Sequence, residues 1–319
     1  MFDRLRKNSF LVIGRAGLDL YADPPGTELE NASGFHAALG GSAANIAVAI
    51  AQQGGSCSLL TAVSDDAVGR YTTKALAGYG VNTRYVKIVG GETRTSLAVV
   101  ETRAEKCQSV IYRNGAADFG ISTTDTIAVD YSAFAAIIVT GTALAREPSR
   151  SATLKALKLA RAAGLVTIID IDYRPYSWDS NREAKQVCSQ AAEQCNIIVG
   201  NDDEFAVLAG GGNSLEHAEM LSRVSGRIVV HKMGENGCMT FADGVRFETP
   251  IFAVKALKPT GAGDGFMGGF IAGLVAGASV KDAVRRGAAT AAIVVTKVGC
   301  APAMPSTIEV DAFMQKYTN

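Results

Sequence analysis

The amino-acid sequence predicts an α/β fold built on a mainly parallel sheet that helices cover on both faces. Short apolar runs typical of buried strands alternate with longer stretches in which apolar residues recur at helical spacing. Because a parallel strand pair needs a long crossover, usually a helix, this alternation favours a parallel sheet. The strand candidates are 10–13, 58–63, 136–139, 166–170, 197–199 and 227–231, and the helix candidates include 42–53, 67–79, 149–163, 182–195 and 215–224.

Two stretches of about 15–39 and 93–113 break this alternation and predict a second, smaller sheet. Residues 96–101 and 109–113 have the pattern of a hairpin of half-exposed strands. In the first stretch, Leu18–Tyr21 precedes a Pro-Pro-Gly turn. We therefore expect both stretches to form a small β-sheet that stands off the main domain as a lid.

The whole chain, residues 1–319, is expected to form one domain with this lid. A chain of 319 residues is long enough to bury a large core. No repeat or low-complexity linker divides it. The last third, from Ala262 to Thr318, has almost entirely helical patterning.

Composition excludes several classes of protein. The 31 basic and 31 acidic residues balance, which gives no reason to expect binding to nucleic acid or to an anionic membrane. No apolar run approaches the roughly 20 residues needed to span a bilayer. Phe10–Gly14 is too short for a signal-peptide core. The scattered cysteines and histidines lack the spacing of a zinc site. We expect a soluble protein of the reducing cytoplasm, with the six cysteines Cys57, Cys107, Cys188, Cys195, Cys238 and Cys300.

A glycine-rich turn late in the chain, Thr260–Gly263, leads into an apolar run typical of a buried helix. The free N–H groups and the dipole of a helix N-terminus favour an anion such as a phosphate. Asp264 lies in the first turn, where we expect it to be ionised and to hold a substrate hydroxyl. An anion site beside a base suits phosphoryl transfer to a sugar. The alternative is an ordinary loop in which Thr260 or Asp264 caps the helix.

Four positions in the amino-terminal part are candidates for sugar binding. Gly40 and Gly41 allow a backbone to approach a ligand closely, and Asn45, in the first turns of the next helix, offers donors and an acceptor. Asp19 follows the first strand, where ligands of such sheets bind. The alternatives are a glycine turn with Ser42 as the helix cap, and a capping or turn role for Asp19.

The segment Ile169–Pro175 places charged residues at the end of another predicted strand. Charged and apolar residues alternate, which would put Asp170, Asp172 and Arg174 on one side of the chain. An arginine beside two acids at a cleft is a candidate for binding an anion through two parallel hydrogen bonds. Alternatively, Arg174 is an ordinary salt-bridge partner.

Asn201 and Glu204 open a helix after the next predicted strand. Their spacing is that of a capping box. Their oxygens are equally suited to hold the waters of a Mg²⁺ ion bound to nucleotide phosphates. The residues alone leave both interpretations open.

The segment 231–237 has the pattern of a strand, a glycine turn and another strand, and contains Lys232, Gly234 and Gly237. One interpretation is a hairpin connection. The other is a loop whose backbone passes close to the phosphates or the base of a nucleotide.

These segments, in this order, resemble the ribokinase (PfkB-type) family of sugar kinases over essentially the whole chain. The combination of the Gly-Ala-Gly-Asp motif at 261–264 with the Gly-Gly-x-x-x-Asn motif at 40–45 is highly specific. The resemblance implies a three-layer α/β/α sandwich with a mainly parallel central sheet and a small β-sheet lid. It also implies ATP as the phosphoryl donor and Mg²⁺ as a cofactor.

The resemblance further implies a role for each matching residue. Asp264 would be the catalytic base, and the amides of Gly261, Ala262 and Gly263 would bind the transferred group. The sugar-binding positions would be Asp19, Gly40, Gly41 and Asn45. The nucleotide-binding positions would be Asn201, Lys232, Gly234, Gly237 and Thr260, with Asn201 and Glu204 holding Mg²⁺ through water.

Within this family the chain is similar to the 5-dehydro-2-deoxygluconokinases of inositol catabolism and nearly as similar to the 2-keto-3-deoxygluconate kinases. Both groups phosphorylate a sugar acid, and the resemblance points first to 5-dehydro-2-deoxy-D-gluconate. Arg113 and Arg174 match positions that face the substrate in the second group, and a carboxylate needs a cation. Fructokinase and ribokinase activities stay open. The segments that carry this likeness are 18–26, 111–118, 139–142 and 170–175.

Two features depart from the family pattern. Many relatives have an aspartate two residues before the Thr-Gly of the signature, where a monovalent-cation loop forms, and this chain has Lys258. This lysine leaves a requirement for potassium open. Gly265, Gly268 and Gly269 fall inside the predicted helix, where each costs about 1 kcal/mol relative to alanine. We expect another helix to pack closely against them.

Two functions outside the kinases compete with this interpretation. A Rossmann dehydrogenase would suit the alternation, but Gly14–Gly17 after the first strand lacks the G-x-G-x-x-G spacing. A non-catalytic sugar- or nucleotide-binding protein is a stronger alternative, and the intact Asp264 argues against it. We expect a sugar acid and ATP as partners, and a homodimer formed through the lid.

Overall fold

The structure of the chain is a computed structural model that describes residues 2–317. Its strands are β1 (Ser9–Ile13), β2 (Gly17–Asp23), β3 (Gly34–Gly40), β4 (Ser56–Ser64), β5 (Val86–Val89), β6 (Ser96–Val100), β7 (Ser109–Tyr112), β8 (Ala136–Thr140), β9 (Val166–Asp170), β10 (Ile197–Asn201), β11 (Ile228–Lys232), β12 (Cys238–Ala242) and β13 (Val245–Thr249). Its α-helices are α1 (Phe2–Leu5), α2 (Ser42–Gln52), α3 (Ala67–Gly78), α4 (Thr123–Ile127), α5 (Ser149–Ala162), α6 (Asn181–Ala192), α7 (Asp202–Ala209), α8 (Ser214–Ser222), α9 (Ala262–Val275), α10 (Val280–Val295) and α11 (Thr307–Lys316). Thr318, where the predicted helical third ends, lies outside the described residues.

Nine strands form the main sheet, in the order β13-β12-β11-β10-β9-β8-β1-β4-β5. Every pair from β11 through β1 to β5 is parallel. In the part of the chain that the structure describes, antiparallel pairing within this sheet is confined to β11–β12 and β12–β13. The prediction of a mainly parallel sheet is confirmed.

The main sheet separates two apolar cores, because side chains along a strand alternate between its faces. In β1, Phe10 and Val12 belong to a core shared with α2, α9 and α10, whereas Leu11 and Ile13 belong to one shared with α5, α6 and α7. Burial on both faces explains why these strands are near-continuous apolar runs. The result is the three-layer α/β/α sandwich that the sequence predicted.

The six predicted strands and five predicted helices are all present, with ends shifted by up to three residues. The helix predicted for 182–195 spans Asn181–Ala192, and Ser180 caps it by accepting the N–H of Glu183. β5, β13 and the short helices α1 and α4 were not predicted. No helix within residues 2–317 combines the length and the apolar character that crossing a bilayer requires.

Four strands form a separate small sheet in the order β3-β2-β6-β7. β6 and β7 pair as the predicted antiparallel hairpin, and β2 pairs antiparallel with β3 but parallel with β6. Asp19, Tyr21, Ala98 and Ile111 lie on the face that lines a cavity. On the opposite face Ala22 and Leu39 are buried. Its partly or fully exposed residues, which we call the outer face, are Leu18, Leu20, Phe35, Ala37, Leu97, Val99, Val110 and Tyr112.

The glycines of α9 lie where α2 and α10 cross it, as the sequence predicted. A Cβ on Gly268 would overlap Ala49 of α2, and one on Gly269 would lie 2.8 Å from the Arg286 carbonyl of α10. The lost helix propensity is therefore the cost of close helix packing. This packing fixes α9 against α2 and α10.

Candidate active site

A cavity of about 390 Å³ lies between the small sheet and the main sheet. In the main sheet, β4 and β5 lie on one side of β1, and β8 to β11 lie on its other side, so the strand order reverses at β1. Ligands of parallel sheets bind beyond the carboxyl ends of the strands at such a reversal of strand order. Arg15, Thr142 and Asp172, which follow β1, β8 and β9, line this cavity.

Asp264 reaches the cavity from the first turn of α9. The helix cap is Gly261, in the left-handed region at φ +82°, and no side chain caps the helix. The alternative that Thr260 or Asp264 caps it is therefore wrong. The uncapped amino terminus leaves the amides of this turn available to an anion. The amide of Ala262 has only a long bond, 3.4 Å, to the carbonyl of Pro259.

The ionisation of Asp264 differs from the sequence prediction. Burial, reinforced by the charge of Asp172, raises the pKa of Asp264 to about 7, although Nδ2 of Asn45 donates a 2.9 Å hydrogen bond to its Oδ2. The helix terminus alone would favour the ionised carboxylate. Desolvation outweighs it here, and a carboxylate with a pKa near neutrality is well suited to general-base catalysis.

Asp19 lies on the face of β2 that lines the cavity, and neighbouring residues hold it there. Tyr21 donates a 3.0 Å hydrogen bond to Oδ2, whereas Oδ1 is buried without a partner, as is Oδ1 of Asn45. Burial raises the pKa of Asp19, against the lowering effect of Arg15. Unpartnered buried oxygens that face a cavity are acceptors for a polar ligand.

Gly40 and Gly41 act by making room. A Cβ on Gly40 would overlap the Asp19 carboxylate, and one on Gly41 would overlap the carbonyl oxygen of Arg15. Gly41 also has φ +99°, which other residues rarely adopt. Neither glycine lines the cavity, so both position Asp19 and Arg15 around it.

The acids after β9 do not continue the alternation that the sequence suggested. β9 ends at Asp170, and Asp172 has φ +36°, a conformation that non-glycine residues adopt mainly where the surroundings hold them. Asp172 accepts hydrogen bonds from Ser42 (2.5 Å) and Thr142 (2.9 Å) and forms an ion pair with Arg174 (2.9 Å). Asp172 and Arg174 line the cavity, and Asp170 faces Lys232 instead.

Three arginines line the cavity. Arg113 is buried and paired with Asp118, lies 4.0 Å from the ring of Phe119, and leaves Nη1 without a partner. Arg174 is half-exposed, and the charge of Asp172 raises its pKa. Arg15 is buried and donates to Oγ of Ser96. Arg15 was not among the predicted site residues, because an arginine after a strand carries no motif.

Among the residues predicted for nucleotide binding, only Thr260 lines the cavity. Burial lowers the pKa of Lys232, but the charges of Asp170 and Glu204 raise it. The net shift of this pKa is upward. A Cβ on Gly263 would lie 3.1 Å from Nζ of Lys232, so this cation adjoins the first turn of α9. Gly237 has φ +81° and leaves room for the carbonyl of Thr249, whereas Gly234, at φ +56°, borders open space.

Asn201 and Glu204 form the capping box. Oδ1 of Asn201 accepts the N–H of Glu204 (2.9 Å), and Glu204 accepts the N–H groups of Asn201 (2.7 Å) and Tyr173 (3.2 Å). Burial raises the pKa of Glu204 to about 7. Among residues 2–317, no cluster of three or more acidic, cysteine or histidine side chains could cage a metal ion. The capping-box interpretation is confirmed, and a role of these oxygens in holding the waters of a Mg²⁺ ion stays a prediction.

Several lining residues were missed by sequence reasoning. Tyr21 connects the site to a thiol, because its hydroxyl contacts Oδ2 of Asp19 and Sγ of Cys300 (3.1 Å). Thr142 and the exposed Tyr176 also line the cavity. Residues of these types recur throughout any sequence, and only the fold brings them together.

Known proteins resemble this chain over nearly its full length. The model of the pfkB family carbohydrate kinases matches residues 7–307. A protein of Photobacterium profundum named 5-dehydro-2-deoxygluconokinase is 39% identical over 302 residues, which cover 93% of this chain and 91% of that protein. A Geobacillus kaustophilus protein of the same name is 34% identical over 325 residues, covering 100% and 97%. The crystal structure of a fructokinase with bound ATP from Xylella fastidiosa shares the fold, with a TM-score of 0.87, 22% identity and coverage of 98% and 100%.

The family match, the two relatives and Asp264 beside an uncapped helix terminus agree with one another. A carbohydrate kinase needs a proton acceptor and an anion-binding helix terminus at one cavity. The chain belongs to the pfkB family of carbohydrate kinases.

Proposed function

We propose that this kinase transfers the γ-phosphoryl group of ATP to the primary hydroxyl of 5-dehydro-2-deoxy-D-gluconate. The observation that carries this proposal is the cavity itself, which holds Asp264 together with Arg15, Arg113 and Arg174. A neutral sugar has little use for three arginines, whereas a sugar acid needs a cation for its carboxylate. The relatives from P. profundum and G. kaustophilus support the same substrate by name.

In the proposed reaction Asp264 accepts the proton of the attacking hydroxyl. Its raised pKa, about 7, makes this transfer more favourable than an ordinary aspartate would allow. The unpartnered oxygens of Asp19 and Asn45 orient the remaining hydroxyls. The amides of Gly261, Ala262 and Gly263 would stabilise the charge on the transferred phosphoryl group. The small sheet would act as a lid that excludes water.

The nucleotide is proposed to lie on the other side of this turn, beside Lys232 and the loop of Gly234 and Gly237. Lys232 and Thr260 would contact its phosphates. Asn201 and Glu204 would hold water molecules of a bound Mg²⁺ ion, which supplies positive charge to those phosphates. Each of these contacts follows from the family resemblance and from the position of Lys232 against Gly263.

A substrate panel tests the proposed function. ADP release would be measured with 5-dehydro-2-deoxygluconate, 2-keto-3-deoxygluconate, fructose and ribose at equal concentrations. We expect kcat/KM to be highest for the first compound and lowest for the two neutral sugars. A higher kcat/KM for fructose or ribose would contradict the sugar-acid proposal.

We also propose a homodimer through the outer face of the small sheet. All eight residues of that face are apolar, and Tyr112 is 58% exposed. An apolar patch of this extent is a typical interaction surface, and two identical faces can bury each other in a symmetric dimer.

Light scattering should show a dimer for the wild type and a monomer for Tyr112→Lys combined with Val99→Lys. Val245→Lys, at an exposed valine of β13, is the control and should remain a dimer. A monomeric wild type would contradict the proposal.

The cytoplasm is the proposed location. All six cysteines are unpaired, as expected in a reducing compartment. Fractionation of cells that express the tagged chain should recover it with cytoplasmic markers, and recovery with membranes would contradict this location.

A further inference from the structure

Arg15 differs from the other arginines of the cavity in its charge balance. Arg113 and Arg174 are paired with Asp118 and Asp172. Arg15 is only 8% exposed, and its side-chain hydrogen bond goes to the neutral Oγ of Ser96 at 3.1 Å. Within residues 2–317, no carboxylate lies within ion-pair distance of its guanidinium.

A buried guanidinium without an acidic partner is unfavourable, because desolvation of a charge costs several kcal/mol unless an opposite charge compensates it. Asp19 attracts Arg15 electrostatically but forms no ion pair with it. Asp19 is held by Tyr21 and does not reach Arg15. The cavity therefore contains one buried guanidinium without an ion-pair partner, and an anion entering the cavity could supply that partner.

The backbone of Arg15 is held rigidly. Its carbonyl accepts the N–H of Ala44 at 3.2 Å, at the start of α2, where Gly41 leaves space for it. Its Nη1 lies over Gly17, where a Cβ would be 3.2 Å away. A site on rigid elements holds a ligand with little loss of conformational entropy.

We propose that Arg15 binds the carboxylate of the sugar acid and determines the preference for acids over neutral sugars. This inference rests on the proposed function. Because Arg15 also bonds to Ser96 of β6, a carboxylate bound there would join the small sheet to the main sheet. Arg113, already neutralised by Asp118, would contribute only through its free Nη1.

The test compares Arg15→Met, which keeps the length of the side chain, with Arg113→Met and with Arg103→Met as a control. Arg103 belongs to the small-sheet segment, does not line the cavity and is paired with Glu101. For Arg15→Met, kcat/KM for the sugar acid should fall on the order of a hundredfold or more, as when a buried charge loses its partner. Its kcat/KM for fructose should change little, and so should the KM for ATP.

Two results would overturn the role of Arg15. One is an equal loss for the sugar acid and fructose, and the other is a larger acid-specific loss in Arg113→Met. Arg15→Lys keeps the charge and should retain part of the preference, which separates charge loss from misfolding. A wild type that prefers neutral sugars would instead refute the proposed function, and is a distinct outcome.

Lys258 carries a second, independent inference. It is fully buried, and its ammonium group donates to two backbone carbonyls, those of Thr260 (2.5 Å) and Val294 (3.4 Å). Among residues 2–317, no carboxylate lies within ion-pair distance of Nζ. Carbonyl oxygens alone are also how a protein holds a dehydrated monovalent cation such as K⁺.

The contact with Thr260 holds the residue directly before the Gly261 cap. The contact with Val294 connects Lys258 to the last turn of α10. The ammonium group therefore joins α10 to the turn that precedes α9.

We infer that Lys258 serves as a tethered monovalent cation that positions this turn, so that turnover needs no added cation. Lys258 does not line the cavity, which makes it a positioning residue rather than a catalytic one. Loss of a buried charged hydrogen bond costs enough to lower turnover by roughly tenfold to a hundredfold.

The test titrates K⁺ and ethylammonium, at constant ionic strength set with tetramethylammonium, against wild type, Lys258→Ala, Lys258→Met and the control Lys255→Ala. Lys255 is exposed in the same approach segment. Turnover and the midpoint of thermal unfolding are measured, and the second readout needs no substrate. Wild type and Lys255→Ala should not respond, whereas both quantities should rise with either cation in Lys258→Ala only. Lys258→Met fills the space with an apolar chain and should stay unresponsive.

A wild type that K⁺ activates severalfold would overturn the inference, and this result depends on no variant. Full turnover of Lys258→Met without added cation would also overturn it. If Lys258→Ala does not fold without cations, folding on addition of K⁺ or ethylammonium would support the inference, and failure to fold with either would oppose it.

Discussion

The side-chain amide of Asn45 donates a 2.9 Å hydrogen bond to Oδ2 of Asp264, and this contact joins the first turns of α2 and α9. The same two helices meet again where Gly268 leaves space for Ala49. The position of Asp264 is thus set by helix packing as well as by its own turn. The contact also lowers the pKa of Asp264 against the larger effect of burial.

Asp264→Asn should reduce turnover while leaving ATP binding nearly unchanged. General-base catalysis contributes about 10² to 10⁴ in rate, and an amide cannot accept the proton. Steady-state kinetics and calorimetric titration with a non-hydrolysable ATP analogue would check both parts. A variant that keeps most of its activity would exclude Asp264 as the base.

The pH dependence of kcat/KM should follow the ionisation of Asp264. Because the base acts in its ionised form, activity should fall as pH decreases below about 7. Asn45→Leu removes the hydrogen bond that lowers this pKa, so the acidic limb should move to higher pH. A limb near pH 4 in the wild type, or no displacement in the variant, would be inconsistent with this electrostatic account.

Asp264→Asn should also stabilise the folded protein above neutral pH. The folded-state pKa of Asp264 is raised from 3.8 to about 7, so its favourable contribution is complete below pH 4 and is lost as pH rises to about 7. The uncharged variant avoids this loss, which amounts to on the order of a few kcal/mol. Urea unfolding at pH 8 and pH 5 should show a larger gain at pH 8. An equal difference at both values would mean that the ionisation of Asp264 does not destabilise the fold.

The sequence was sufficient to predict features that depend on local pattern. The alternation of apolar runs with helical stretches predicted the parallel sheet, because each element's burial is visible in its own composition. The glycines of α9 predicted close helix packing, because the absence of side chains within a helix is also visible in its own sequence. β13 was missed although Asp243-Gly244 marks a hairpin turn before it, because its residues are mostly exposed and mixed in polarity.

Features that depend on distant residues could not be predicted. The pKa of Asp264 is set by burial and by Asp172, which lies far away along the chain. Arg15 is notable only because the fold leaves it without an acidic partner, and Lys258 only because its ammonium group meets Val294 of another helix. Burial and pairing of this kind are properties of the packed structure and have no signature in one segment.

The close packing of α9 should make its glycines intolerant of even one methyl group. Gly268→Ala would bring a Cβ into overlap with Ala49, and Gly269→Ala would press one against Thr290 and the carbonyl of Arg286. Overpacking of this kind costs about 1–3 kcal/mol, which exceeds the gain of about 1 kcal/mol in helix propensity.

Gly78→Ala is the matched control. Gly78 lies in the last turn of α3, and no atom lies within 4 Å of the place that its Cβ would occupy, so the change should be neutral or stabilising. Urea unfolding would rank the three variants, and Gly268→Ala should also lower turnover, since a shift of α9 against α2 displaces Asp264 from Asn45. If Gly268→Ala is as stable as Gly78→Ala, α2 and α9 do not pack as closely as the structure indicates.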